Sequence, residues 1–426
     1  MVEISSNELI KLKQAAALLL EAEERLPVLK TVSWNRSLAD QFFASGEKEL
    51  PRPVYMRIDP EPSLERIKAA RKLVDGDSPV HDWLNRLAGV FEQTAAMMSA
   101  VGTKDFYKHS LDLYGGPESP VAGRNGAVLA LANRLDQTLD DFNMGQHDFV
   151  KPDKISAQKL KQLLDEELPK YFGVHSPQVI VTHEVSGKAA AGRDYIKLRE
   201  DASFSDLDVT QLLQHEALVH IATNFNGQSQ AKFPLLGEGH PGNSRTQEGL
   251  AVFAEFISGA LDPSRLKRLS DRVIAIDMAE KGADFIDLYK FFRERDPSDR
   301  RFEAFESARR VVRGGMVEGG APFTKDAIYL GGLLEVHNYL RTAVRMRDAT
   351  YIRLLFVGKI DLVDLEAMKM LLANKLIDEP RFVPPWVSDM RHLLSYLAYS
   401  TFLNEIDLGQ VASQYDELFH GENTAK

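Results

Sequence analysis

The chain reads as mainly α with a small β-sheet (α+β), and three observations carry that expectation. Apolar residues recur at spacings of three and four along most of the 426 residues, the period of an amphipathic helix. Strand signals are confined to three short stretches rich in β-branched or aromatic residues, "PVYMRI" (53–58), "PQVIVTH" (177–183) and "RDYIKLR" (193–199). No apolar run approaches the roughly 20 residues a membrane span requires, so these helices are expected in a soluble fold with no membrane partner.

The elements follow in order. "MVEISSNELIKLKQAAALLLEAEERL" has a short apolar run between acidic residues and no basic stretch before it, which predicts an amphipathic helix over 6–26 rather than a signal peptide. After the strand at 53–58, helices are expected over 62–74, 79–100 and 121–142. A soft boundary at "MGQHDFVKPDKIS" (144–156) divides an N-terminal helical lobe, residues 1–150, from residues 151–426, which hold the chemistry and the C-terminal helices; one integrated unit fits the same pattern. Beyond it come a helix over 156–170 and the two remaining strands, joined by "EVSGKAAAG" as a hairpin loop. Helices then follow over 206–224, 245–260, 263–281, 298–312, 325–345, 361–375 and 385–403. "FPLLGEGHPGNSRT" (233–246) is rich in Gly, Pro and Asn and long enough to be a functional loop, and the closing "HGENTAK" reads as disordered.

Composition narrows the function classes. With 52 Lys and Arg against 62 Asp and Glu, the net charge of −10 argues against a nucleic-acid partner bound through phosphates. Cysteine is absent, which removes disulfides, thiolate nucleophiles and sulfur-ligated metals and agrees with a cytoplasmic setting. Any metal in this chain is held by nitrogen and oxygen.

One segment concentrates such donors. "QLLQHEALVHIATNFNG" (211–227) places His215, Glu216 and His220 within six positions of a helix that is apolar over most of its surface, where imidazole and carboxylate groups need partners. In the common zinc-peptidase pattern two histidines four apart share a helix face and the glutamate beside the first is a general base. Here the spacing is five, which on a regular α-helix leaves the second histidine about 140° from the first. The pair shares a metal only if a π-bulge, an i to i+5 turn, brings His220 back under His215.

A third ligand is sought downstream. "SRTQEGLAVFAEF" (244–256) opens with Ser244 and Gln247 in a capping-box pattern, so a helix is expected to start there with Glu248 in its first turns and Gly249 and Ala251 permitting close helix approach. Glu248 lies 28 residues beyond His220, suitable for a helix that returns to face the first. Glu238, His240 and Glu255 compete with it; the first two sit in the loop and Glu255 is about two turns deeper.

"HEALVH" followed by "TQEGLA" resembles the QEGLA-motif family of metallohydrolases, often labelled flavohemoglobin expression-modulating QEGLA motif proteins, whose relatives include the microtubule-associated tyrosine carboxypeptidases. The five-residue spacing is also similar to the zinc motif of dipeptidyl peptidase III. The likeness runs from "LKTVSWN" near residue 29 to "KDAIYLGG" near 332. It implies a zincin-like metallopeptidase core, Zn2+ held by His215, His220 and Glu248, and Glu216 as the catalytic carboxylate that takes a proton from a zinc-activated water. The substrate implied is a peptide or protein C-terminus. Tubulin tails, the target in animal relatives, are not carried over, because no long basic segment here suits an acidic polymer.

A carboxypeptidase also needs groups that hold its peptide. "DYIKLR", with Tyr195 and Lys197, is a candidate edge strand for an extended substrate. In "RRVVRGGMVEGGAPFTKDAIYLGG" (309–332), Arg313 is the best clamp for a terminal carboxylate, Lys325 a second cation, and Tyr329 the best oxyanion donor. His337, two turns after Tyr329, is either a donor near the site or a core histidine. Two other pairs are decoys: His183 and Glu184 have no second histidine at ligand spacing, and Glu335 and His337, two apart, face different helix sides. The reading is therefore a zinc carboxypeptidase. An amidase or aminopeptidase on the same metal, or a non-catalytic binding protein retaining a structural metal, are the alternatives. These residues specify neither side-chain preference, oligomeric state nor the physiological metal.

Overall fold

The computed structural model of the chain describes residues 4–121, 126–141, 154–185, 187–295, 300–348, 350–403 and 406–415. Helices dominate it, with a few short strands, as the apolar spacing predicts. Helix α1 (Ser6–Glu23) starts where the Ser5 side chain accepts the Glu8 N–H at 3.3 Å, and it buries Leu12, Ala15, Ala16, Leu19 and Ala22, a stripe at spacings of three and four. Helix α2 (Pro79–Ser99) begins with proline, whose missing N–H costs nothing at that position, and buries Trp83, Leu84, Leu87 and Phe91. Both helices pack into one apolar core with Phe233, Leu235 and Leu236 of the 233–246 loop and with Val357, Met368 and Leu371 from the C-terminal third. That core is the floor on which the loop rests. Most of the expected lobe boundary, residues 144–153, and the closing "HGENTAK" lie outside the described residues.

The strands correct two expectations. "PVYMRI" joins no described sheet: prolines at 51 and 53 break the run of N–H donors, and Val54 and Met56, at 94 % and 50 % exposed, leave one side of it facing solvent. Tyr55 and Ile58 anchor it, the Tyr55 hydroxyl accepting from Trp34 Nε1 and the Gly314 N–H, each at 2.9 Å, and Ile58 packing against the apolar core. The other strands are β1 (Ile155–Ser156), β2 (Gln178–Thr182), β3 (Ala189–Ala191), β4 (Tyr195–Arg199) and β5 (Ser203–Phe204). β2 and β4 do not form a hairpin; they run parallel, with Val179 opposite Ile196. The stretch expected as a loop instead supplies β3, antiparallel to β4, giving the order β2-β4-β3. β4 is thus a central strand, with its backbone bonded on both sides, and β3 is an edge. Three alanines in a row carry no strand signal, which is why β3 is invisible to pattern.

Ile196, Leu198 and Val179 face Leu160, Leu164 and Phe172 and, on the other side of that small core, Leu213, Ala217, Leu218 and Ile221 of the helix that carries the histidines. The sheet therefore seats that helix. Four further helices complete the surroundings: α3 (Pro241–Ile257), α4 (Pro263–Glu280), α5 (Arg301–Val312) and α6 (Ile328–Arg345). Shorter helices at Lys104–Tyr114 and Phe285–Arg295, not expected from the sequence, pack aromatic residues beneath them. No helix among the described residues is long and apolar enough to cross a membrane.

Candidate metal centre

The five-residue histidine spacing demands an irregular helix, and one is present. Asp206–Leu212 is α-helical, Leu213–Ile221 is π-helical and Ala222–Gln228 returns to α. The wider turn stacks residues five apart, so the His215 and His220 rings meet edge to face with centroids 4.9 Å apart. Packing holds the bulge in place: Leu213, Ala217, Leu218 and Ile221 press on the sheet, and Val219 packs with Leu250 and Val336 of α3 and α6. The Thr223 hydroxyl sits 2.7 Å from the Val219 carbonyl and 2.9 Å from Gln247 Oε1, tying the bulge to α3.

Helix α3 delivers Glu248, though it starts earlier than the Ser244 capping pattern suggests. Pro241 is its first residue, and Asn243 Oδ1 accepts the His240 N–H at 3.0 Å, so Glu248 lies in the helix interior. Proline at the first position and the Asn243 cap outcompete the later signal. His240 is buried at the helix start, and burial, with Arg86 and Lys359 nearby, pushes its pKa down to about 3. It stays neutral and stands apart from the donor cluster. Gly249 sets the depth of α3: a Cβ there would lie 2.3 Å from the carbonyl carbon and oxygen of Gly332 on α6. Only glycine allows the two helices this close.

His215, His220 and Glu248 each offer a ligand atom within 4.8 Å of the others. His215 Nε2 is 3.6 Å and His220 Nε2 3.5 Å from Glu248 Oε2, and that buried oxygen has no hydrogen-bond partner among the described residues. Ligands bonded to zinc at about 2.0–2.1 Å in a tetrahedron stand roughly 3.4 Å apart, so the separations suit a small divalent ion. Glu248 Oε1 accepts from Lys325 Nζ at 3.4 Å. Burial opposes its ionisation, yet Lys325 and the two imidazoles hold its pKa well below the usual carboxylate range. Burial likewise pulls the His215 imidazole down, but the Glu248 and Glu255 carboxylates on either side of it outweigh that and lift its pKa to about 10 in the metal-free chain.

Glu255 is the residue whose place the sequence misjudges. Oε1 lies 2.6 Å from His215 Nδ1, on the far side of the ring from Glu248, and Arg265 of α4 grips the carboxylate through Nε and Nη2 at 2.9 Å each. Glu255 is therefore no ligand candidate. It stands behind His215, and the signal was available: Glu248 and Glu255 are seven apart and so share a helix face. Glu238, the other competitor, pairs with Arg193 at 3.0 Å.

Glu216 is half-buried on the same turn, and its Oε2 accepts the Ala191 N–H of edge strand β3 at 3.1 Å. Tyr195 and Lys197 do not lie on that edge. Both belong to central β4, where Lys197 bonds Glu184 at 3.3 Å and Tyr195 lies against Gly192. The edge that an extended peptide could join is β3.

Beside Glu248, helices α4, α5 and α6 gather positive charge around Tyr329. The Arg272 guanidinium lies 4.5 Å and Lys325 Nζ 5.6 Å from its ring centroid. Arg310 hydrogen-bonds Tyr329 and pairs with both oxygens of Asp326 at 2.6 and 2.8 Å. Arg313 is 8 % exposed, and burial together with Arg310 and Arg309 drives its pKa down to about 10. Arg313 Nε and Arg272 Nη1 are buried without hydrogen-bond partners among the described residues. Four cations here face two carboxylates, Asp326 and Glu248.

A family model, microtubule-associated tyrosine carboxypeptidase, matches residues 40–405. The chain belongs to this family. No curated protein matches it significantly. As a member of the microtubule-associated tyrosine carboxypeptidase family it is, at that level, a carboxypeptidase-like hydrolase. The match extends past residue 332 to helices that close over α3 and α6, among them Arg391–Leu403. The decoy pairs lie away from the donors in this family member: His183 pairs with Glu200 at 3.0 Å, Glu335 with Arg245 at 2.7 Å, and His337 bonds the Tyr396 hydroxyl at 2.9 Å.

Proposed function

We propose that this protein is a zinc-dependent carboxypeptidase that removes residues from peptide or protein C-termini, with His215, His220 and Glu248 as metal ligands and Glu216 as general base. The observation that carries the reading is one juxtaposition: a buried carboxylate oxygen faced by two imidazole nitrogens at 3.5 and 3.6 Å, one residue from a buried cluster rich in guanidinium groups. Three protein donors, a carboxylate with two imidazoles, are the set of a catalytic rather than a structural zinc.

Zinc held there would supply Lewis acidity, polarising a carbonyl and acidifying a water. The chain supplies the rest. Glu216, tethered by the Ala191 N–H, takes the proton and returns it to the leaving amine. The edge of β3 aligns the substrate backbone by strand addition. Arg313 and Arg272, with unpartnered N–H groups, receive the terminal carboxylate, and the Tyr329 hydroxyl is the donor for a developing oxyanion. Lys325 is already bonded to Glu248, so its part is to hold that carboxylate ionised. A cluster of cations favours carboxypeptidase over aminopeptidase chemistry, which requires acids to bind an amino terminus.

Elemental analysis of the purified protein beside a His215→Ala/His220→Ala variant tests the site, and C-terminal trimming of a peptide library with Glu216→Gln as control tests the reaction. About one zinc per chain, lost in the double variant, with trimming lost in Glu216→Gln, is the expected result. Absence of zinc after supplementation sinks the proposal.

A further inference from the structure

Glu255 and Arg265 form a buried ion pair set against His215, and their hydrogen bonds among the described residues go to neither Glu216, Arg313 nor Tyr329. Glu255 has no exposed surface, and both of its oxygens are engaged, Oε1 by His215 Nδ1 at 2.6 Å and Arg265 Nη2 at 2.9 Å, Oε2 by Arg265 Nε at 2.9 Å. A buried carboxylate beside a guanidinium is an acceptor, so the proton of this contact belongs to His215 Nδ1. In the neutral ring that a metal would bind, Nε2 then carries the lone pair, and it is the atom 3.6 Å from Glu248 Oε2. One hydrogen bond thus selects both tautomer and ring orientation.

The pair also ties together three elements. His215 lies on the π-turn, Glu255 near the end of α3 and Arg265 in the first turn of α4, where its own N–H is capped by Asp262 at 2.6 Å. Arg265 holds the carboxylate in its plane with a two-pronged grip, leaving Glu255 no freedom to swing toward the donor cluster.

We infer that Glu255, held by Arg265, is a positioning residue that fixes His215 as an Nε2 donor and thereby sets the metal affinity of the site. This rests on the zinc reading above. Arg265 acts through Glu255 and has no separate role at the metal.

The test is the zinc dissociation constant, measured by competition with a chromogenic chelator, for the unaltered chain, Glu255→Gln, Arg265→Gln and the double variant Glu255→Gln/Arg265→Gln. Glu255→Gln is expected to weaken zinc binding by roughly 10- to 100-fold, the range for partners that orient a ligating histidine. The double variant removes the buried charge pair together, which preserves folding if the single variant leaves Arg265 uncompensated, and it should lose the same factor rather than the product of the two single losses. Circular dichroism of the metal-free proteins verifies that they are folded. Tight zinc binding by the unaltered chain with an affinity within twofold in the folded single or double variant overturns the positioning role alone. No zinc on the unaltered chain overturns the metal reading and this inference with it.

Discussion

Replacing Gly249 by alanine tests whether helix depth sets the candidate site. The added Cβ would sit 2.3 Å from the carbonyl carbon and oxygen of Gly332 and 2.8 Å from its Cα. Ordinary carbon contacts begin at roughly 3.5 Å, and the obstacle is backbone, so α3 and α6 must part by about 1 Å. Overpacking of that kind costs about 1–3 kcal/mol, against at most about 1 kcal/mol gained from replacing glycine with alanine in a helix. The same shift moves the neighbouring Glu248, whose Oε2 stands 3.5 and 3.6 Å from the two imidazoles, while metal sites tolerate errors of about 0.2 Å in ligand distance. Gly249→Ala should therefore lose stability in urea denaturation of the metal-free protein and weaken zinc binding more than tenfold by chelator competition. Gly89 in α2 is the control: its Cβ would meet only the Arg71 Nη2 at 3.6 Å, so Gly89→Ala should gain roughly 0.5–1 kcal/mol and leave zinc untouched. A Gly249→Ala protein as stable as the unaltered chain, with the same zinc affinity, would refute the reasoning.

Further expectations concern chemistry and charge. Glu216→Gln should keep its zinc and lower kcat by about 10²- to 10⁴-fold, the usual worth of a general base; equal activity in the variant moves that role elsewhere. Arg313→Gln should raise KM about 10- to 100-fold for peptides with a free C-terminus, from the roughly 1.5–3 kcal/mol of a charge-assisted hydrogen bond, while C-terminally amidated peptides respond to neither form; a change in kcat alone would contradict a clamp. Glu23 is a pH test, since burial, then Glu238 and Glu24, raise its pKa to about 7. A carboxyl with a raised folded pKa favours the fold below its unfolded value near 4.5, and that contribution disappears as pH rises through about 7. Glu23→Gln should thus gain stability relative to the unaltered chain between pH 5 and 8, by roughly 3 kcal/mol at most, and denaturation curves offset equally at both pH values would contradict this.

What the sequence reveals about this protein is what is local in the chain. The π-turn follows from arithmetic on His215 and His220, because no regular α-helix lets residues five apart share a ligand. α1, α2 and α6 follow from apolar periodicity, as a stripe at three and four has one structural solution. Non-local relations are harder. Arg272, Arg310 and Arg313 come from two helices separated by an unexpected third, Phe285–Arg295, and nothing in spacing says that α4 and α5 converge on Tyr329. β3 is silent because its alanines have no strand preference, and reading it as loop made central β4 look like an edge. Glu255 fell between these cases: its shared face with Glu248 was readable, but that His215 stands between the two carboxylates is known only from the fold.

The charges around the site alternate outward from the imidazoles in a way that separates two kinds of demand. On one side run His215, Glu255 and Arg265, a closed sequence in which each charge meets its opposite and every oxygen of Glu255 is used. On the other run Glu248, Lys325, Asp326 and Arg310, also paired, but bordered by Arg313 and Arg272, whose nitrogens exceed the acceptors around them. Between the sides, two imidazole nitrogens converge on one carboxylate oxygen, a set that offers a cation three lone pairs once both rings are neutral. Buried polar groups left in this imbalance are costly, and a fold keeps them where a ligand supplies the balance. A cation would balance the middle and an anion the Arg313 side. A metal ion and a substrate carboxylate are the two ligands that a metallocarboxypeptidase brings to one site, which is why the charge pattern, more than any single residue, ties the metal reading to C-terminal cleavage.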